Sequence, residues 1–178
     1  MSEKNDVYET AKKQMRLSER LLAEIPGFRG YKEKEIRRES DKLIRNHLTQ
    51  KLTLARTNFK TIFQRMSDRR QLDILTDMDR LVAKFDRVTE KVSHASYGYS
   101  GFFDVIKIQE AALDRMTDFD NQLVDQVNSI ANEVDVFKGE VSKQNFDNVK
   151  DRVQNLTDTL ETFDETLDKR EQVIMGVS

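Results

Sequence analysis

Apolar residues recur at alternating steps of three and four along most of this chain, and this feature constrains the fold more than any other. The clearest run comprises Leu113, Met116, Leu123, Val127, Ile130, Val134, Phe137 and Val141. Similar runs comprise Ile44, Leu48, Leu52, Ala55, Phe59, Ile62, Phe63 and Met66; Leu75, Met78, Val82, Phe85 and Val92; and Phe146, Val149, Val153, Leu156, Leu160, Phe163, Leu167 and Ile174. This spacing places the apolar side chains on one face of an α-helix. Since the 178 residues include one proline and six glycines, few positions can interrupt a helix.

The pattern predicts five helices, over residues 6–24, 32–66, 68–95, 102–138 and 143–175. Pro26 and Gly27 end the first helix, because proline disfavours helix in the residue before it. Ser67 and Asp68 offer an N-cap to the third helix, and Gly139 offers a C-terminal cap to the fourth. Because residues 67–71 contain neither glycine nor proline, one continuous helix through them is the alternative.

We therefore expect an all-α fold, an antiparallel up-and-down bundle of four long helices plus a shorter N-terminal helix, in one domain over residues 1–178. The three-four spacing favours coiled-coil-like packing. In the first helix, Tyr8, Ala11, Met15, Leu22 and Ile25 form the expected apolar face. This topology brings the loops at residues 27–31 and 96–101 to one end of the bundle.

Composition narrows the class of protein. Charged residues make up 35% of the chain, against about a quarter in an average domain, which suits long helices with solvated outer faces. With no cysteine, a disulfide, a thiolate metal site and a cysteine nucleophile are excluded. No apolar run approaches the length of a membrane span, and the first residues lack the apolar core of a signal peptide. We expect a cytoplasmic protein.

Two loops share the pattern glycine-aromatic-x-glycine-aromatic, at residues 27–31 and 98–102. Arginine and tyrosine are favoured in protein interfaces. The candidate protein interface therefore comprises Arg29, Tyr31, Tyr97, Tyr99 and Phe102. In the alternative, Phe28, Tyr97 and Phe102 fold inward and plug the bundle, while the glycines supply positive φ angles to the turns.

Charge is distributed unevenly along the chain. Residues 27–72 carry 13 Lys/Arg against 5 Asp/Glu, whereas residues 104–178 carry 8 against 17. A candidate anion-binding row on the second helix comprises Arg38, Lys42, Arg45, Arg56 and Lys60. Such a row could bind the phosphates of nucleic acid or an anionic membrane surface. Alternatively, the row is balanced internally by acidic helices, and its side-chain stems cover the edges of the apolar seam.

Signatures of enzymes and metal sites are missing from the sequence. Neither His47 nor His94 follows a glutamate at the spacing that di-iron bundles use. Phosphate-binding glycine loops and the Gly-x-Ser-x-Gly motif are also absent. Asp120 interrupts the apolar seam of the fourth helix, where it more plausibly fixes the register than binds a metal. The sequence predicts no catalytic residue, no cofactor and no metal.

The segments "IPGFRGYKEKEIRRESDKLIR" and "SYGYSGFFDVIKI" resemble the signature segments of a family of uncharacterised prokaryotic all-helical proteins. This resemblance covers mainly residues 25–50 and 96–108, and it implies no activity. From the residues themselves we predict a non-enzymatic interaction or scaffold module that presents its aromatic loop end to a protein partner, with self-association along the long helices as a further possibility. The alternative is binding of nucleic acid or an anionic membrane surface through the basic second helix.

Overall fold

A computed structural model describes residues 2–33, 36–95 and 110–175, without the side chains of residues 2–8 and 110. Its helices are α1 (Ser2–Glu24), α2 (Arg37–Asp68), α3 (Leu72–His94), α4 (Glu110–Ser142) and α5 (Val149–Met175). No strand occurs among these described residues. The prediction of an all-α helical bundle is confirmed. The predicted start of the fourth helix at residue 102 lies outside the described part of the chain.

The chain divides into two compact units. Unit 1 takes its described residues from Met1–His47, Ala95–Leu123 and Thr166–Ser178. Unit 2 comprises Leu48–His94 and Val124–Glu165. Helices α2, α4 and α5 therefore each contribute residues to both units.

The apolar runs predicted for α2, α4 and α5 are the buried ones. All eight predicted residues of α4 are buried. In α2 every predicted residue is buried except Phe63, and in the last run every predicted residue is buried except Phe146, which precedes α5; both phenylalanines are half-buried. Burial of side chains at this spacing is the main source of stability of such helices.

The buried face of α3 differs in part from the predicted one. The buried residues are Ile74, Met78, Leu81, Phe85, Val88 and Val92. The predicted Leu75 and Val82 are only half-buried. The observed run has the same steps of four and three, but it includes Ile74 and Leu81 where the prediction had Leu75 and Val82.

The buried positions of unit 2 follow an internal repeat. Adding 75 to the buried positions 74, 78, 81, 85 and 88 of α3 gives the buried positions 149, 153, 156, 160 and 163 of α5. The same offset relates positions 52, 55, 59, 62 and 66 of α2 to 127, 130, 134, 137 and 141 of α4. Phe59 contacts both Phe85 and Phe137, with ring centroids 6.0 and 6.2 Å apart. The helix pair α2–α3 thus repeats its core pattern in α4–α5.

A turn separates α2 from α3, so the alternative of one continuous helix is wrong. Arg70 has a positive φ of 58°. Its N–H donates to the carbonyl of Ser67 at 2.9 Å, and Gln71 N–H donates to that of Met66 at 3.2 Å. This is the Schellman arrangement that closes a helix C-terminus. Ser67 and Asp68 therefore lie in the last turn of α2. The prediction that they cap α3 is wrong.

The same arrangement ends α4 three residues beyond the predicted cap, Gly139. Gln144 adopts a φ of 62°, its N–H donates to the Val141 carbonyl at 3.1 Å, and Asn145 N–H donates to the Glu140 carbonyl at 3.0 Å. Gly139 lies inside the helix, so its predicted capping role is wrong. The hydrogen bonds, and not the nearest glycine, determine where the helix ends.

Candidate functional site

The loop that follows α1 folds its aromatic side chains inward. Gly27 and Gly30 have φ angles of 83° and 81°, a conformation that glycine adopts without steric cost. Phe28 and Tyr31 are 2% and 3% exposed, and their rings meet edge to face with centroids 5.8 Å apart. The inward position predicted in the plug alternative is thus observed for Phe28.

Two side chains of α2 hold this loop. Ser40 donates its hydroxyl hydrogen to the Gly30 carbonyl at 2.8 Å. Arg37 Nε donates to the Tyr31 carbonyl, also at 2.8 Å. These bonds fix an extended turn ahead of α2, which begins at Arg37 and not at the predicted residue 32.

Tyr31 is part of a buried polar cluster in unit 1. Its hydroxyl donates to Asp120 Oδ2 at 2.5 Å. Arg170 Nε donates to Asp120 Oδ1 at 2.6 Å, and Arg170 Nη2 donates to the Tyr31 hydroxyl at 3.1 Å. Asp120 is 0% and Arg170 is 1% exposed. Both carboxylate oxygens of Asp120 therefore accept hydrogen bonds inside the core.

Asp41 completes the cluster from α2. Its Oδ1 accepts from Arg170 Nη2 at 2.8 Å, and its Oδ2 accepts from Arg45 Nε at 2.8 Å. Two buried carboxylates thus face two buried guanidinium groups. The cluster is therefore electrically balanced. Buried charges are tolerated when they are paired and hydrogen-bonded in this way.

Burial changes the ionisation of these groups. The pKa of Tyr31 lies well above its ordinary value, because burial and the neighbouring Asp120 both disfavour the phenolate. Burial also raises the pKa of Asp120, against the opposing effect of Arg170. For Arg170 burial acts to lower the pKa, but attraction to Asp120, Tyr31 and Asp41 leaves it well above the ordinary value. Tyr31 therefore stays a neutral donor, and Arg170 stays charged.

The sequence pattern contains a signal for this pair that the prediction used only in part. Asp120 occupies the gap between Met116 and Leu123 in the apolar run of α4, and was singled out. Arg170 occupies the equivalent gap between Leu167 and Ile174 in α5, and was missed. Two gaps of seven residues, filled by opposite charges, indicate that the charges meet.

The cluster joins the loop to α2, α4 and α5 and has the geometry of a structural connection.

The predicted interface residues do not share one environment. Arg29 is exposed. Tyr31 is buried, because hydrogen bonding to Asp120 and Arg170 holds its hydroxyl in the core, and its ring forms part of the wall of the groove described below. Tyr97, Tyr99 and Phe102 lie outside the described residues.

The predicted basic row is also mixed in environment. Arg38, Lys42 and Lys60 are exposed. Arg45 is buried and pairs with Asp41, which contradicts its predicted role in binding an external anion. Arg56 is half-buried and donates from Nη2 to Asp86 of α3 at 2.9 Å. Internal pairing with Asp41 of α2 and Asp86 of α3 therefore accounts for at least two of the five residues.

A groove of about 810 Å³ opens in unit 1 between α1, the loop and the first turns of α4. The α1 wall carries Ala11, Met15, Ser18 and Leu22. Met15 is 63% and Leu22 is 50% exposed, so the predicted inward face of α1 is wrong at these positions. Ile25 of the predicted face is buried, and so is Leu21, which was not predicted. An apolar helix face that remains exposed beside a groove is typical of an interaction site.

Charged residues also line the groove. Arg29, Lys32 and Glu33 lie on the loop side, and Asp114 lies on the α4 side. Gln14 of α1 donates from Nε2 to Asp118 at 3.3 Å and so connects the two helical walls. The groove therefore combines an apolar wall with a rim of both charges.

Within the described ranges, no helix is long and apolar enough to cross a membrane. The same residues contain no group of three or more histidines and acidic residues that could hold a metal ion. Comparisons with known proteins found no matching family model, no matching curated protein and no matching solved structure. The groove and the polar cluster behind it are therefore interpreted from their geometry alone.

Proposed function

We propose that this chain is a non-enzymatic interaction or scaffold module, and that its groove in unit 1 binds an amphipathic helix of a protein partner. The exposed stripe of Met15 and Leu22 along the groove is the observation that carries the proposal. Helices bind in grooves through apolar residues at such spacing. Arg29, exposed at the loop side, supplies a residue type that is enriched in interfaces.

The buried cluster supports this proposal, because it gives the groove a fixed wall. Tyr31 lines the groove while its hydroxyl bonds to Asp120 and Arg170. A wall that is ordered before binding lowers the entropic cost of binding. We also infer an up-and-down, coiled-coil-like order of the helices, which the contacts of Phe59 with Phe85 and of Arg56 with Asp86 support in unit 2.

Affinity capture from nuclease-treated native lysate tests the proposal. We expect the wild type to retain a protein that is lost with Leu22→Gln/Arg29→Ala. Leu54→Gln is the matched control, since Leu54 is 59% exposed on α2 in unit 2. Equal retention of a protein by both variants would contradict the proposal.

Binding of an anionic polymer or surface through α2 is the second candidate, supported by the exposure of Arg38, Lys42 and Lys60. Phosphate contacts make binding strongly salt-dependent. In this case the captured material would disappear on nuclease treatment or with added salt, and Leu22→Gln/Arg29→Ala would bind it as well as the wild type does.

A further inference from the structure

Over residues 9–25, α1 and the residue after it bury only two side chains fully, those of Leu21 and Ile25. The adjoining edge carries Ala11, Met15, Ser18 and Leu22, in steps of four, three and four. This is the spacing of the a and d positions through which two helices pack in a coiled coil. The α1 helix is thus both a wall of the groove and an amphipathic helix that another groove could receive.

We propose that the helix that fits this groove is α1 of a second copy of this chain, packed antiparallel to the first. This inference rests on the proposed function above and identifies its partner. A two-fold axis makes the contact self-complementary, because each α1 then lies in the groove of the other copy.

Side-chain size favours the antiparallel direction. Antiparallel packing pairs Ala11 of one copy with Leu22 of the other, and Met15 with Ser18. Every layer then combines a large and a small side chain, which fills the interface evenly. Parallel packing would place Met15 against Met15 and Ala11 against Ala11, giving layers of unequal volume.

Charge favours the same direction. Lys12 and Glu19 are exposed and directly follow the stripe residues Ala11 and Ser18. They therefore flank the seam at equivalent positions. In the antiparallel dimer Lys12 of each copy lies beside Glu19 of the other, so that the two-fold axis creates two opposite-charge pairs. Such flanking pairs set the partner and orientation in coiled coils.

The size of the stripe predicts a weak dimer. Residues 11–22 span about 17 Å at 1.5 Å per residue. Two stripes of this length give an interface at the small end of the range, below about 1,200 Å² in total, where transient complexes lie. We therefore expect a reversible monomer–dimer equilibrium, with a dissociation constant of about 10 µM or weaker.

Sedimentation equilibrium of the full chain from about 10 to 500 µM tests the inference. We expect the wild type to dimerise reversibly and Met15→Glu to weaken the dimer at least tenfold. Lys12→Glu and Glu19→Lys should each weaken it, and the exchange Lys12→Glu/Glu19→Lys should restore it. Because Lys12, Met15 and Glu19 are exposed, the folds of these variants should be intact, which circular dichroism checks.

Three results would overturn the inference: a monomer at every concentration, a dimer that Met15→Glu leaves unchanged, or a charge exchange that fails to restore dimerisation. The proposed function is tested separately by the lysate capture. A monomer whose groove captures a different protein would contradict the second copy as partner and leave the interaction function supported. A monomer that captures nothing would contradict both.

Discussion

Burying Asp120 or Arg170 alone would cost more free energy than burying an apolar residue. The cost is offset only when both are present and paired. Removing water from a charge costs several kcal/mol, which only a well-placed partner and further hydrogen bonds offset. Here Asp120 accepts from Arg170 and Tyr31, and Arg170 also donates to Asp41. Loss of one member therefore leaves an unpaired charge in the core. Such a loss should destabilise the fold more than loss of both members does.

We expect Arg170→Met to lower the free energy of unfolding by about 3–5 kcal/mol, because it leaves two buried carboxylates without their shared donor. The double variant Asp120→Leu/Arg170→Met should recover at least half of this loss. Urea denaturation monitored by circular dichroism measures both. A double variant no more stable than Arg170→Met would show that the pair itself, and not the unpaired charge, determines the loss.

Because Tyr31 is buried, we expect the free energy of unfolding to depend on pH in the alkaline range. Its pKa is raised in the folded state by burial and by Asp120, so the unfolded chain loses the phenol proton first. The Tyr31 contribution to stability is fully present below the unfolded pKa of about 10, and falls as the pH rises further, by up to about 1.4 kcal/mol per unit. The stability advantage of the wild type over Tyr31→Phe should therefore narrow above pH 10.

Absorbance at the phenolate band provides an independent measurement of the same effect. Before unfolding, wild type and Tyr31→Phe should titrate with equal amplitude, and the wild type should gain one extra tyrosine only as it unfolds. A larger amplitude of the folded wild type would mean that Tyr31 ionises in place.

At the scale of the helix, the ends of α2 and α4 show how local geometry overrides residue preference. Arg70 and Gln144 both take the left-handed conformation, which costs about 1–2 kcal/mol for a residue with a side chain. Gly139, which could take it without cost, lies within α4 instead. These two helices therefore end at strained residues, and each strain can be removed by one substitution.

Gly139→Ala and Gly30→Ala should change stability in opposite directions. A Cβ at either position meets no atom within 4 Å, but only Gly30 has a positive φ, of 81°. We expect Gly139→Ala to stabilise by about 0.5–1 kcal/mol, and Gly30→Ala to destabilise by about 1–2 kcal/mol. Thermal denaturation measures both. Destabilisation by Gly139→Ala would contradict the placement of Gly139 in the interior of α4.

At the scale of the molecule, three helices contribute to both compact units without interruption. Since a helix is lost cooperatively, unfolding of one unit should carry these helices with it. We expect one transition in urea. The chain has no cysteine, so single reporters at Lys12→Cys in unit 1 and Leu54→Cys in unit 2 can follow each unit. Midpoints that differ would show that the units unfold separately.

The sequence was a good guide where burial follows local spacing and a poor one where distant residues decide. The apolar runs of α2, α4 and α5 were predicted because one helix face determines them. Tyr31 was placed outside because its partner Asp120 lies 89 positions away. In α1 the spacing fits two stripes equally well, and packing against the body selects Leu21 and Ile25. Arg170 was missed because only the gap at Asp120, and not the matching gap in α5, was examined for a buried charge.

The 75-residue repeat has a consequence for how the chain avoids misfolding. Two helix pairs with the same core pattern could exchange places, within one chain or between chains, with little loss of apolar contact. The offset, however, relates buried Arg45 to buried Asp120, which carry opposite charges. An exchanged pair would put the guanidinium of Arg45 in place of the Asp120 carboxylate that accepts from the Tyr31 hydroxyl. The buried polar cluster thus distinguishes the two halves of the repeated pattern, because only one assembly pairs every buried charge.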